Sequence, residues 1–278
     1  MTNPVLNERT MSQAATTWAP PEPQNDHFPP VADRPMTDGP VTPWNREVMT
    51  LNGTISATAT LLVLMLVTAA FGWSQTETTN FDDGTTVVSG FPMLAWVGLI
   101  VGIGLTFLLM FRPHLAKFIA PVYAIAQGFF VGAISKSYET FYDGIVVQAA
   151  GATIAVFAVM LVLYRTRIIK VTERFRRIVV AATIGIMLFY GVSFLISLFA
   201  GAGSISFLSS PSLLGIGFSI FVAGLAAFNL ALDFDFIERG VEQRLDKNFE
   251  WFAAFGLLVT IIWLYLEMLR LLAKFRER

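Results

Sequence analysis

The chain has 278 residues, of which 55% are hydrophobic and only 14% charged, and its mean hydropathy is +0.63. Soluble domains carry about 25% charged residues, so this composition indicates an integral membrane protein. Cysteine is absent, which excludes disulfides, thiolate metal sites and a cysteine nucleophile. The two histidines, His27 and His114, are too few for a histidine-rich metal cluster. The net charge of −1 identifies no partner, and we expect no nucleic-acid partner.

Residues 1–50 differ in composition from the rest, being rich in Pro, Asn, Thr and Asp, with runs such as APPEP at 19–23. Such a segment has too little apolar surface to fold, so we predict a disordered cytoplasmic tail. It lacks the cationic start and following apolar region of a signal peptide, and the first apolar segment is therefore expected to be an uncleaved anchor. A solvated tail is favoured over a partner-binding Pro-rich motif.

Seven apolar segments follow, each close to the ~20 residues that a helix needs to cross a bilayer. They are residues 51–73, 91–111, 118–135, 144–163, 178–200, 212–232 and 251–272. These long continuous runs argue against a β-barrel, whose short strands alternate in polarity. The sequence therefore predicts an all-α membrane protein, with a seven-helix transmembrane domain at 51–278. Two GxxxG spacings, Gly98 with Gly102 and Gly128 with Gly132, predict close helix packing.

The basic residues of the loops predict the orientation by the positive-inside rule. Loops 112–117, 164–177 and 233–250 hold most of them, and we expect these loops in the cytoplasm. Loops 74–90 and 201–211 have no Lys or Arg and are expected outside. This alternation places the amino terminus in the cytoplasm and predicts a multi-pass protein of the cell membrane.

The seventh segment breaks the alternation, because a full crossing puts its basic tail on the outer side. The residues concerned are Arg270, Lys274, Arg276 and Arg278. Two alternatives stay open: the last helix crosses, with the first six dictating its direction, or it is re-entrant and returns the tail to the cytoplasm.

Asp233 ends the sixth apolar segment and has apolar neighbours on both sides. Helical spacing puts Asn229 on the same face, four residues earlier. We interpret Asp233 as a candidate functional acid for these reasons. For Asp235 and Glu238 we favour simple solvent exposure, which is usual for charged residues.

Glu267 lies inside the seventh apolar segment, and an ionised acid at bilayer depth costs roughly 2.5 kcal/mol or more. Intramembrane acids are therefore functional candidates, although Arg270, three residues on, offers a simple surface pair as the alternative. If Asp233 and Glu267 meet, they would titrate as a coupled pair and could bind a cation such as Ca²⁺. We name Asp233 and Glu267 as candidate proton-sensing and metal-binding residues, and Arg112 as a possible counter-charge.

Catalytic signatures are missing, since the chain has no HExxH, Walker or serine-elbow motif. We therefore expect no enzyme and no cofactor, with Ca²⁺ only as a transported ion. Mid-helix Gln127 and Gln148 could line a path or bond between helices.

Three short runs resemble the Bax inhibitor-1 family, and its bacterial YccA-like members in particular. They are APVYAIAQG at 120–128, LDFDFI at 232–237 and LYLE at 264–267, within a likeness that covers about residues 50–278. The resemblance implies a central last helix wrapped by the other six and a pH-sensitive calcium leak. It also implies a proton-sensing pair of acids on the last two helices, here Asp233 and Glu267, with Glu in place of the usual Asp.

Two functions compete at this point. The first is a calcium leak channel that closes when the Asp233 and Glu267 pair holds a proton. The second is a non-transporting protein that binds membrane proteases or stress-response partners through loop 164–177 and the Pro-rich tail. Proton-coupled solute transport is disfavoured, because no inverted repeat is visible.

Overall fold

The computed structural model describes residues 48–80, 86–200 and 210–278. The predicted tail at 1–50 lies outside the described residues, except for its last three. Within the described part, seven helices are each long and apolar enough to cross a membrane. They are α1 Leu51–Ser74, α2 Met93–Phe111, α3 Ala116–Phe141, α4 Ile145–Arg165, α5 Glu173–Ala200, α6 Leu213–Glu242 and α7 Asn248–Arg276. A short antiparallel hairpin, β1 Glu77–Asn80 and β2 Thr86–Gly90, joins α1 to α2.

The helix ends follow local capping rules. Thr50 begins α1 by accepting a hydrogen bond from the Gly53 amide, and Ser212 begins α6 through the Gly215 amide. The predicted end of the sixth segment at 232 is wrong, because α6 continues through Glu242. The Arg239 guanidinium pairs with Asp235 one turn earlier, which supports this polar extension. The connection predicted at 233–250 therefore narrows to residues 243–247, where Arg244 adopts a φ of 52°.

Helix α7 is the centre of the bundle, as predicted. It packs directly against α1, α3, α4 and α6. The expectation that all six helices wrap it needs correction, because α2 packs mainly on α3, and α5 mainly on α6. The two outer helices therefore leave room beside α7, and the candidate site described below lies in that space.

The GxxxG glycines lie where helix backbones touch, which confirms their predicted packing role. A Cβ on Gly132 would meet the Ala69 carbonyl oxygen of α1 at 1.9 Å. A Cβ on Gly98 would meet the Ala126 carbonyl oxygen of α3 at 2.2 Å. Only glycine fits at such distances, so α3 packs between α1 and α2 through these residues.

We name the two ends of the bundle by hydrogen bonds close to the two ends of α7. At the end that we call the Thr50 end, the Thr50 hydroxyl donates to Glu250 over 2.8 Å, and the Met49 amide donates to the Leu245 carbonyl over 2.7 Å. At the opposite end, the Arg276 end, the Arg276 guanidinium donates to the Asp143 carbonyl over 2.6 Å.

Helix α7 runs unbroken between these ends over 29 residues. At 1.5 Å per residue it is about 43 Å long, which exceeds the ~30 Å of a hydrocarbon core. Of the two alternatives left open by the sequence, an unbroken helix of this length favours the crossing helix over the re-entrant one. The basic tail of α7 therefore lies at the end opposite to Thr50.

Candidate functional site

Glu267 is held in a polar cluster between α7 and α5. Its side chain is almost fully buried, with a relative exposure of 1%. The carboxylate accepts a hydrogen bond from the Tyr190 hydroxyl over 2.9 Å. It also accepts from the Arg270 guanidinium, whose Nη1 lies 3.0 Å from Oε1 and 3.2 Å from Oε2. Glu267 is thus an ion-paired acid and not a free one.

Arg270 completes this cluster from one turn further along α7. Its Nη1 donates to the Tyr190 hydroxyl over 2.6 Å, and its guanidinium lies 5.0 Å from the centre of the Tyr190 ring. Arg270 is therefore the counter-charge of Glu267. The alternative interpretation named this partner but expected a surface pair, whereas Glu267 is buried. Arg112, the counter-charge proposed from the sequence, is exposed at the end of α2 and forms no ion pair within the described residues.

Asp233 lies elsewhere, in the interface between α6 and α7 and nearer the Thr50 end. Its Oδ1 is 3.7 Å from the position that a Cβ would take on Gly256, and the Thr260 side chain is within hydrogen-bonding reach. Its Oδ2 is buried without a hydrogen-bond partner. Asn229, one turn earlier, donates to the Thr183 hydroxyl over 2.8 Å, which continues a polar seam towards α5.

The structure does not bring Asp233 and Glu267 together. Asp233 faces Gly256 and Thr260, and Glu267 is seven residues beyond Thr260, or about 10 Å along the axis of α7. Each carboxyl has its own surroundings, and no hydrogen bond joins them. No group of three or more Asp, Glu, His or Cys side chains could hold a metal ion in the part of the chain that the structure describes. The predicted paired site is therefore two separate sites.

A cavity of about 1050 Å³ lies beside α7 and reaches the Arg276 end, where Tyr142 and Glu277 line it. Its walls come from α3, α5 and α7, with Leu99 of α2 as a further contact. Glu267, Arg270 and Lys274 all line it. Along α7 it extends inward as far as Val259, one residue before Thr260. Trp263 lines the inner part of the cavity, one turn from Thr260, and its indole Nε1 is buried without a hydrogen-bond partner.

At the Arg276 end of this cavity, a polar side chain from the turn between α3 and α4 contacts an acid at the end of α7. The Tyr142 hydroxyl donates to the Glu277 carboxylate. Burial, followed by this bond to an acid, raises the pKa of Tyr142 to about 12. The neutral phenol is therefore the stable form at physiological pH, and it ties α7 to the start of α4.

At the Thr50 end, the acids for which solvent exposure was expected are instead engaged with arginines. Asp235 is buried and pairs with Arg176 of α5 at 2.7 Å and with Arg239 at 2.9 Å, so that expectation is wrong. Glu238 is partly buried, and it accepts hydrogen bonds from Arg167 and from Tyr164. The bond to Glu238 raises the pKa of the exposed Arg167 guanidinium above its ordinary value. These contacts join α4, α5 and α6 across the end of the bundle.

Some residues of these sites were missed by the sequence interpretation. Tyr190 and Lys274 were not recognised as partners, because a tyrosine or a terminal lysine in a membrane helix is unremarkable without its neighbours. Glu250, at the start of α7, is also buried and accepts from the Thr50 amide and hydroxyl. Gln127 does line the cavity, as one of the two expected alternatives had it, whereas Gln148 is exposed.

Comparison with known proteins supports the resemblance seen in the sequence. The family model described as "Bax inhibitor 1 like" matches residues 3–277. A search of curated proteins finds no significant match. The described part of the chain has seven helices of membrane length, and the family model matches nearly the whole chain, so this chain belongs to the Bax inhibitor 1 like family.

Proposed function

We propose that the protein is a pH-sensitive calcium leak channel of the cell membrane, with Asp233 as its proton-sensing group. The observation that carries this proposal is the placement of Asp233. One of its carboxyl oxygens is buried and unpartnered, just beyond the inner limit of the large cavity. Family membership supports the same activity, and the basic loops at the Thr50 end support a cytoplasmic amino terminus.

In this proposal the cavity and Asp233 lie on one path, which is wide at the Arg276 end and closed at the Thr50 end. Along α7 the cavity runs from Glu277 at the Arg276 end to Val259, and it provides the wide part of the proposed path for water and ions. Beyond it, α6 and α7 are in contact around Asp233, and the ion pairs of Asp235 and Glu238 close the Thr50 end. This arrangement corresponds to the closed state of a leak.

Protonation of Asp233 gives a physical reason for the gate. A neutral carboxyl can stay buried between α6 and α7, because burying a polar group without charge costs much less than burying an ion. An ionised carboxylate at the same place lacks a counter-charge, and burying such a group costs several kcal/mol. Opening the seam to water or to a cation removes this cost, and carboxylate oxygens are ligands that Ca²⁺ prefers. Flux should therefore rise with pH.

Glu267 has a different role in this account. Because Arg270 and Tyr190 already satisfy its carboxylate, we assign it to holding α5 against α7 beside the cavity. It contributes to the wall of the path and is not the proton sensor.

The test is Ca²⁺ influx into liposomes that contain the purified protein, measured with an entrapped indicator from pH 5 to 8. Asp233→Asn mimics the protonated acid and should give low flux at every pH. Asp143→Asn, which removes an exposed acid from the loop after α3, is the matched control and should keep the wild-type pH profile. Unchanged pH dependence in Asp233→Asn would refute Asp233 as the sensor.

The competing function, an interaction protein without transport, would be supported by an absence of flux at every pH in the wild type. Loop 164–177 has exposed basic residues outside the ion pairs just described, namely Arg165, Lys170, Arg174 and Arg177. These residues are the surface on which a partner would then be sought.

A further inference from the structure

We infer that the cavity at the Arg276 end binds an anionic amphiphile, with its head group held by Lys274 and Arg270 and its acyl chain along the apolar wall. The ligand class is an anionic head group joined to an acyl chain, as in a fatty acid or an anionic phospholipid. This inference goes beyond the leak proposed above and does not depend on it, and a bound amphiphile would occupy the same cavity that the leak proposal assigns to water and ions.

Lys274 is the residue that requires an anion. It has a relative exposure of only 2%, although it lies near the end of α7. Its ammonium donates to the Gly215 carbonyl and to the Ser219 hydroxyl, both over 2.9 Å. Both partners are neutral, and an ammonium has three donors, so one remains. Among the described residues Lys274 forms no ion pair, and a buried cation without an anion is unfavourable.

The nearby acids are already committed to other partners. Glu267 is paired with Arg270 and Tyr190, and Glu277 accepts from Tyr142. Neither carboxylate comes within ion-pair distance of the Lys274 ammonium. Lys274 thus lines the cavity with a buried positive charge that has no acidic partner among the described residues.

Arg270 provides a second cation for the same head group. It lies four residues before Lys274, so the two side chains share one face of α7. Its side chain is 34% exposed and lines the cavity. Nη1 makes the bonds to Glu267 and Tyr190, and the guanidinium also interacts with Tyr138, but its five N–H groups exceed these partners and leave donors for an anion. Arginine and lysine together are suited to a carboxylate or a phosphate.

The rest of the cavity is suited to a hydrocarbon chain. Away from the charged residues its walls are mostly apolar and include Leu99, Phe130, Met187, Phe194 and Val259, with Gln127 and three serines as polar exceptions. From Glu277 to Val259 the cavity follows 18 residues of α7, which corresponds to about 27 Å of helix. An apolar pocket with a few convergent charged groups at one end is the usual form of a site for an amphiphilic ligand.

Access for such a ligand comes from the lipid side. Helix α5 packs mainly on α6 and reaches α7 through the Tyr190 hydroxyl, while α2 and α5 do not pack along each other in the described structure. Leu99 of α2 and Met187 of α5 both line the cavity. A chain can therefore enter between these two helices from the bilayer.

Tryptophan quenching by a brominated acyl chain tests this site, because Trp263 lines the cavity. The probe is 9,10-dibromostearate, added to the purified full-length protein in a neutral detergent without any ion gradient. Its methyl ester has the same chain without the charge. Trp263→Phe identifies the share of quenching that comes from the cavity, and dibrominated phosphatidylglycerol distinguishes a phospholipid source from a fatty-acid source.

We expect the acid to quench Trp263 at concentrations at which the methyl ester does not. Lys274→Gln should weaken binding about 10- to 100-fold, the range expected for losing a hydrogen bond between charged groups. Arg278→Gln, which removes an exposed charge from the same end of α7, should leave the affinity unchanged. Stronger quenching by phosphatidylglycerol than by the acid would assign the site to a phospholipid.

Equal quenching by the acid and its methyl ester would overturn the inference, since the chain alone would then explain binding. That comparison uses the wild-type protein, so it decides the question even if Lys274→Gln fails to fold. An unchanged affinity in a folded Lys274→Gln variant would overturn it as well. Because no flux is measured, failure of the leak proposal leaves these outcomes unaffected.

Discussion

The Glu267 and Arg270 ion pair predicts a specific pattern of stability changes. Glu267 is nearly fully buried, so Glu267→Gln leaves the Arg270 guanidinium without its anion. Breaking a buried ion pair costs about 3–5 kcal/mol, but the Arg270 side chain is 34% exposed towards the cavity. Solvent screening at that exposure reduces the expected loss to about 1–3 kcal/mol.

The double-mutant cycle separates the ion pair from the other effects of each change. Arg270→Met removes the cation and leaves Glu267 buried without it, so this single variant should lose a similar amount of stability. The double variant leaves neither charge behind, and replacing both partners of a buried pair by neutral groups is often nearly neutral. We therefore expect the double variant to be more stable than the sum of the single losses predicts, with a coupling of about 1–3 kcal/mol.

Thermal unfolding in detergent, followed by circular dichroism, measures this cycle. A loss of 2 kcal/mol corresponds to a fall in Tm of about 4–8 °C for a chain of this size. Strictly additive losses in the double variant would refute the reasoning, because they would mean that Glu267 and Arg270 do not stabilise each other. The Arg278→Gln variant is the control for loss of one positive charge at this end of the protein.

Three further predictions concern packing, the Thr50 end and pH. Gly132→Leu should lower the free energy of unfolding by about 3 kcal/mol or more, because the new side chain would overpack against the α1 backbone. Gly151→Leu is the control and should be tolerated, because nothing lies within 4 Å of its Cβ position. Thermal unfolding measures both variants. Asp235→Asn should lower the free energy of unfolding by about 1–3 kcal/mol, because Arg176 and Arg239 lose a shared carboxylate that is 9% exposed, and Asp143→Asn should change it little in the same assay. The Tyr142 pKa of about 12 against its ordinary 10.0 means that this phenol stabilises the fold fully below pH 10 and loses that contribution as the pH rises through 12. Wild type should therefore lose more stability than Tyr142→Phe between pH 9 and 12, and equal slopes of Tm against pH would contradict this.

The seven helices were predictable because each leaves a continuous apolar run of membrane length in the sequence. Their polar ends were not predictable. The sixth apolar run ends at Leu232, but α6 continues through Glu242, because Asp235 and Glu238 find arginine partners on α5 and on the loop after α4. A hydropathy pattern places the end of the span at these acids, whereas ion pairs with other parts of the bundle allow α6 to continue past them.

The two acids were identified from the sequence, but their relationship was not. Counting from the sequence cannot tell that Asp233 faces Gly256 and Thr260, since this depends on how α6 and α7 align. In the same way, the packing of α5 beside α7 decides that Glu267 meets Tyr190. The basic residues of the α7 tail stood out in the sequence, but their contacts could not be read from it. Arg270 is ion-paired, the Lys274 ammonium donates to neutral oxygens, and Arg276 donates to the Asp143 carbonyl.

The most direct test of the central claim compares the pH midpoint of Ca²⁺ influx in liposomes for wild type, Asp233→Asn and the Glu267→Gln, Arg270→Met double variant. The double variant removes the Glu267 carboxylate while leaving no unpaired charge behind. If Asp233 is the proton sensor, the double variant keeps a flux that rises with pH, and Asp233→Asn loses that rise. Loss of the pH dependence in the double variant as well would contradict a single sensor and would return both acids to one coupled site.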